Sequence, residues 1–187
     1  PLLLSRQRRV CIRAGNTRDV HGFGEVIGGN VPQCGEQGGC LARSSVLLSD
    51  LDERIPGLAI NRFCASGMEA VNLAANQIRG GAGQAYIAGG VEMMGRVAMG
   101  SDGAAIAVDP TLAMKTYFVP QGISADIIAT EYGFSREAAD ALALESHRRP
   151  AAAWDAGRFA KSLVPGTPLT GPTIFTPDES TPPRTTI

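Results

Sequence analysis

Apolar residues change their period along this chain, and each change marks an element. Residues 66–79 place Met68, Val71, Ala75 and Ile78 at helical spacing, and Gly80-Gly81 stops the run. Before it, Leu58–Phe63 reads as a strand that follows a break at Pro56-Gly57. After it, Ala85–Ala88 reads as a second strand closed by Gly89-Gly90. Strand, helix, strand with short joints is a βαβ unit, so the expected class is α/β, a parallel sheet covered by helices. Further upstream, Gly24–Asn30 reads as a strand, Cys34–Gly39 as a glycine-rich turn and Leu41–Leu48 as a helix. Residues 1–14 alternate apolar and basic positions, as the end of an amphipathic helix would.

The pattern weakens over residues 95–122, which predicts an insertion or long loop. Helices are expected again over 124–132 and 136–157, the second capped by Ser135 and kinked or split by Pro150. From residue 165 the chain is rich in Pro and Thr. The chain therefore divides into a core, residues 1–94, and a region of loop and helices, residues 95–187.

Composition narrows the possible partners. Hydrophobic residues make up 44% of the chain and charged residues 19%, enough apolar material for a core. Seventeen basic residues face 18 acidic ones, so nothing in the balance points to nucleic acid or an anionic membrane surface. No apolar run is long enough to span a bilayer, and the charges near the start follow a short apolar run, the wrong order for a signal peptide. Cysteines stand at 11, 34, 40 and 64 without CxxC spacing, and His21 and His147 are far apart, so no metal site is expected. A cytoplasmic protein with reduced thiols is the expectation, and a Cys34–Cys40 disulfide is disfavoured.

One segment carries chemistry: Asn61-Arg62-Phe63-Cys64-Ala65-Ser66-Gly67-Met68-Glu69-Ala70-Val71. Ser66 and Glu69 have the spacing of a capping box, which predicts a helix start. Cys64 then stands between strand and helix, where the first-turn N–H groups and the positive end of the helix dipole favour a thiolate. The same turn would project the sulfur at the carboxyl end of the sheet, where ligands of α/β proteins bind. Its own N–H could help hold an oxyanion. Placement alone leaves open an inert, buried cysteine. Cys11, Cys34 and Cys40 have no comparable setting, and His21 and His147 read as surface histidines.

That segment resembles the nucleophile motif of the thiolases, the acetyl-CoA C-acyltransferases. Other stretches fit the family in the same order. Val31-Pro32-Gln33-Cys34-Gly35-Glu36-Gln37-Gly38 is similar to the turn before its second helix. Ala88-Gly89-Gly90-Val91-Glu92-Met93-Met94-Gly95-Arg96 resembles the segment written AGGVESMSR, and Gln121-Gly122-Ile123-Ser124-Ala125-Asp126 resembles MGxTAEN. Tyr132–Glu137 and Ser146–Ala153 are similar to the helix that follows, and Asp178–Thr186 to part of a substrate-covering loop region. The likeness covers most of residues 2–187.

The resemblance implies a thiolase-like layered fold, a mixed sheet covered by helices, with the family's first strand and carboxyl-terminal domain missing. It implies an acyltransferase that cleaves or forms 3-ketoacyl-CoA through an acyl group on Cys64. Coenzyme A would be a substrate, with no further cofactor and no metal, and the chain would self-associate as a homodimer or homotetramer. The family's other catalytic parts are a histidine in GHP, a second cysteine in CxGGG and an Asn–His pair. None occurs in these 187 residues. Gln121 stands where the family has methionine, Pro120 where it often has histidine, and Pro150 where it has a helix former. Two alternatives stay open: a β-ketoacyl synthase, opposed by Asn61-Arg62-Phe63-Cys64, and a non-catalytic thiolase-derived CoA-binding or scaffold protein.

Overall fold

The computed structural model describes residues 22–163. Residues 1–14, Cys11, His21 and the stretch from 165 lie outside the described residues. The described chain falls into two compact units, one up to Ala104 and one from Ala105.

The first unit is built on three strands: β1 (Val26–Gly29), β2 (Gly57–Ile60) and β3 (Ile87–Gly90). Their order is β2-β1-β3, and β1 pairs parallel with both neighbours. Parallel neighbours need crossovers. Helix α1 (Leu41–Leu48) lies between β1 and β2, and helix α2 (Ser66–Arg79) between β2 and β3. Alternation along β1 sends successive residues to opposite faces. Val26 packs with Ala42, Val46 and Ile55, and Ile27 packs with Ala70 and Ala74. The central strand is thus buried on both sides, each Val or Ile contributing about 1.5–3 kcal/mol of apolar burial.

Three features of this unit add to or differ from the sequence expectations. First, the helix over 66–79 is present as expected, and the larger residues of its apolar stripe are not the ones that lie against the sheet. Met68, Val71 and Ile78 are exposed, and the small Ala70 and Ala74 face the sheet. The reason lies in the glycines beneath it. A Cβ on Gly29 would collide with the Ser66 backbone, and one on Gly90 would press on Gly67 Cα and the Gly29 carbonyl. The helix rides so close that only small side chains fit under it. Second, β3 lies two residues later than expected and takes in Gly89-Gly90, which register with Gly28 and Gly29 instead of closing the strand. Third, β2 stops at Ile60, because the next residues turn sharply.

The part of the expected loop over 95–122 that belongs to the second unit contains two short helices, α3 (Ala105–Val108) and α4 (Pro110–Thr116). Asp109 caps α4: its carboxylate accepts the Leu112 N–H at 2.7 Å, and Pro110 follows at the first helical position. That Asp-Pro pair was the overlooked signal. Helix α5 (Gln121–Tyr132) ends in a left-handed Gly133, with Gly133 N–H donating to Thr130 and Phe134 N–H to Ala129. Helix α6 (Arg136–Asp155) starts at Ser135, whose hydroxyl accepts the Ala138 N–H at 3.1 Å, as expected. Pro150 lies inside α6 without splitting it. Among the described residues no helix is long and apolar enough to cross a membrane.

Candidate active site

All three strands of the first unit point their carboxyl ends the same way, so the loops after them share one edge of the sheet. The loop after β2 carries Cys64, the loop after β1 runs from Asn30, and the loop after β3 from Val91.

The turn from Asn61 to Ser66 is held by local bonds. Asn61 Oδ1 accepts the Phe63 N–H at 2.9 Å, an Asx turn. Ala65 N–H donates to the Arg62 carbonyl and Ser66 N–H to the Phe63 carbonyl. Phe63 takes up a φ of 49°, the left-handed region that an aromatic residue enters only at a cost. Cys64 follows it and is exposed. Its thiol stands between β2 and α2, two residues before the helix, as expected.

The capping box does not form. Ser66 is already the first helical residue, and Ala65 is the N-cap with no side-chain bond. The Ser66 hydroxyl faces back instead. It accepts the Arg62 N–H at 2.9 Å and donates to the Phe63 carbonyl at 2.5 Å. Glu69 forms an ion pair with Arg62 at 3.3 Å. The two residues the box would have used tie down the turn before Cys64, because the turn is too tight to leave Ser66 outside the helix.

A second set of bonds joins the three loops. Asn61 Nδ2 donates to the Val31 carbonyl at 3.1 Å. Val31 N–H donates to Glu92 Oε2 at 2.9 Å. Gln37, buried, donates from Nε2 to Glu92 Oε1 at 2.6 Å and to the Pro32 carbonyl at 3.2 Å, and its Oε1 accepts the Met93 N–H at 2.8 Å. Asn30, also buried, donates to the Gln37 carbonyl. Nearby, Arg96 grips both carboxylate oxygens of Glu36, which holds that carboxyl below the usual carboxylate value. In the sequence Asn61, Gln37 and Glu92 stand within motifs that assign them no task. An Asn two residues before an N–H that needs an acceptor was the available signal for Asn61.

The remaining candidates lie elsewhere. Cys34 and Cys40 are free thiols, half-buried, and Cys40 Sγ donates to the Gly57 carbonyl at 3.3 Å. His147 is half-buried on α6, in the second unit.

Comparison with known proteins gives the family. The model of the thiolase amino-terminal domain matches residues 7–187. The chain belongs to the thiolase family. It is 37% identical over 171 residues to a 3-ketoacyl-CoA thiolase of Saccharophagus degradans, covering 87% of this chain and 42% of that protein. It is 40% identical over 154 residues to a 3-ketoacyl-CoA thiolase of Acinetobacter baylyi, covering 81% of this chain and 38% of that protein. A beta-ketoadipyl-CoA thiolase of Pseudomonas aeruginosa is 36% identical over 187 residues, covering 90% of this chain and 47% of the other. The chain spans less than half the length of these relatives. Within the thiolase amino-terminal domain, the described parallel sheet with helices on both faces is the part that carries the Cys64 turn.

Proposed function

We propose that this chain is the nucleophile-bearing half of a thiolase acyltransferase, with Cys64 as the acyl acceptor. The observation that carries the reading is an exposed thiol at the carboxyl edge of a parallel sheet, two residues before a helix. The names of the relatives support 3-ketoacyl-CoA as the substrate class.

In this reading the Cys64 thiolate attacks the C3 carbonyl of the substrate. The C2–C3 bond breaks, the acyl group stays on Sγ as a thioester, and the two-carbon fragment leaves as the enolate of acetyl-CoA and takes a proton. The thiolate of a second CoA then attacks the thioester and displaces the sulfur. Two moderate steps replace one difficult exchange. Run backwards, the same steps condense two acyl-CoA molecules. The groups that take the cysteine proton and protonate the enolate would be the GHP and CxGGG residues of the family, which this sequence does not contain. Coenzyme A is a substrate in this scheme, and pairing of the chain with copies of itself belongs to the same proposal.

The test is acyl transfer from acetyl-CoA to the purified chain, read by intact mass and by mass spectrometry of the peptide Phe63–Arg79. Cys64→Ser serves as the control, and thiolysis of acetoacetyl-CoA is followed in parallel. Acetylation confined to Cys64 supports the reading. A folded chain that takes up no acetyl group would favour a thiolase-derived scaffold.

A further inference from the structure

We propose that Glu92 is a positioning residue for the Cys64 turn, acting from the loop after β3 through Val31 and Asn61. The proposal rests on Cys64 being the nucleophile. Its geometry stands independently of that reading.

The links are continuous. The Glu92 carboxylate accepts the Val31 N–H at 2.9 Å. The Val31 carbonyl accepts Asn61 Nδ2 at 3.1 Å. Asn61 Oδ1 accepts the N–H of Phe63, the residue before Cys64, at 2.9 Å. Glu92 is itself aimed by Gln37, whose Nε2 stands 2.6 Å from the other carboxylate oxygen. Gln37 in turn is fixed by Pro32 and by Met93, so it cannot rotate without losing two further bonds.

Charge type matters at position 92. Both groups that meet the carboxylate are donors: a backbone N–H and an amide NH2. A carboxylate offers two acceptor oxygens and an amide only one, with a donor in place of the other. Glu92→Gln therefore has nearly the same shape and sets donor against donor at one of the two contacts. Either Val31 or Gln37 is released. The turn has reason to need such outside support, since Phe63 is held at a φ of 49°. A left-handed aromatic residue relaxes unless its surroundings over-determine it.

The chain of bonds makes a series, and a series has a signature. Removing a second link after the first should add nothing. The test combines hydrogen exchange of the Phe63 amide with chemistry at Cys64, in the full chain, for Glu92→Gln, Asn61→Ala and the double variant. Glu92→Gln is expected to speed Phe63 exchange about tenfold, the loss of one or so well-made bonds, with Ile27 exchange and the melting temperature unchanged. Asn61→Ala should do at least as much, and the double variant no more than Asn61→Ala alone. Acetylation of Cys64 by acetyl-CoA, which needs an oriented thiol, should fall about tenfold in Glu92→Gln. Alkylation by iodoacetamide, a small reagent that meets an exposed thiol from any side, should stay within about twofold.

Wild-type Phe63 exchange in Glu92→Gln overturns the proposal. So does a rise shared by Ile27, which would mark general destabilisation, or full additivity in the double variant. A wild-type chain that is never acetylated, yet shows the exchange pattern, would sink the thiolase chemistry and leave the positioning role in place.

Discussion

A Cβ on Gly29 would stand within 3.0 Å of the carbonyl carbon of Ser66, closer than side chains come to backbone in proteins. Gly29 ends the central strand, and Ser66 begins the helix behind Cys64. The contact is backbone against backbone, so no side chain can swing away to make room. The first turn of α2, and with it the height of Cys64 above the sheet, is therefore set by the missing side chain of a residue 35 positions upstream of it.

Gly29→Ala should destabilise the first unit by about 3 kcal/mol or more, since overpacking against rigid backbone has no cheap relaxation. Gly89→Ala is the matched control. Gly89 lies in the neighbouring strand, its φ is not left-handed and its Cβ would meet nothing within 4 Å. It should melt at the wild-type temperature or slightly above, because alanine has fewer unfolded conformations to lose. Thermal denaturation by circular dichroism compares the two. Equal melting temperatures would show that the helix does not ride on Gly29 as described.

Glu36 and Arg96 give a prediction with a definite pH window. Arg96 holds the Glu36 carboxyl below its ordinary value of 4.5. A carboxylate depressed in the folded state stabilises fully above its unfolded value, and this contribution is lost as pH falls through the folded value. The stability gap between wild type and Glu36→Gln should be constant above about pH 6 and close on acidification below about pH 4.5. Both groups lie at the surface, so the gap should be small and shrink in high salt. Urea melts from about pH 3 to 7 measure it. A gap that widens in acid would contradict the pairing.

The sequence pattern carried the βαβ order because local signals agreed: glycine breaks, a helix of the right length and short joints. It misled where a distant residue decides the outcome. Met68, Val71 and Ile78 form a good apolar stripe and are exposed in the described unit, while Ala70 and Ala74 lie against the sheet because Gly29 and Gly90 bring it near. No periodicity within the helix contains that information. Similarly, Ser66 and Glu69 have the letters of a capping box, but the tight turn after Asn61 pulls Ser66 into the helix and spends its hydroxyl on Arg62 and Phe63. The place of Cys64 was readable because a cysteine between a strand and a helix needs only local pattern. The support from Glu92 and Gln37 was not, because it joins residues more than fifty positions apart.

Tyr117 ends α4 in the left-handed region, with φ of 50°, and is largely exposed. Its N–H and that of Phe118 close the helix on Met114 and Ala113, an arrangement that glycine adopts without steric cost. Little packing is lost on removing its ring. Tyr117→Gly should therefore stabilise by about 1 kcal/mol, the cost of a left-handed residue with a Cβ less the entropy of glycine. Acetylation of Cys64 should be unaffected. A lower melting temperature would mean that the tyrosine ring packs more firmly than its exposure indicates.

Phe63 presents the same backbone problem with the opposite consequence for chemistry. Its φ is 49°, its ring is more than half exposed, and it directly precedes Cys64. Phe63→Gly removes the steric cost of the left-handed region, so the chain should melt at the wild-type temperature or up to about 1 kcal/mol higher in stability. It also removes the Cβ that limits the turn to a few conformations, and glycine visits both signs of φ freely. The sulfur would then sample several directions at the sheet edge, and a reaction that needs an aligned thiol slows when alignment is shared among states. Acetylation by acetyl-CoA should fall about tenfold while iodoacetamide alkylation holds. Phe63→Ala separates the two effects: it keeps a Cβ and the left-handed cost, loses the ring, and should retain most of the acetylation rate. If Phe63→Ala and Phe63→Gly lose acetylation equally, the ring itself contacts the acyl donor, and the turn's constraint is not what aligns Cys64.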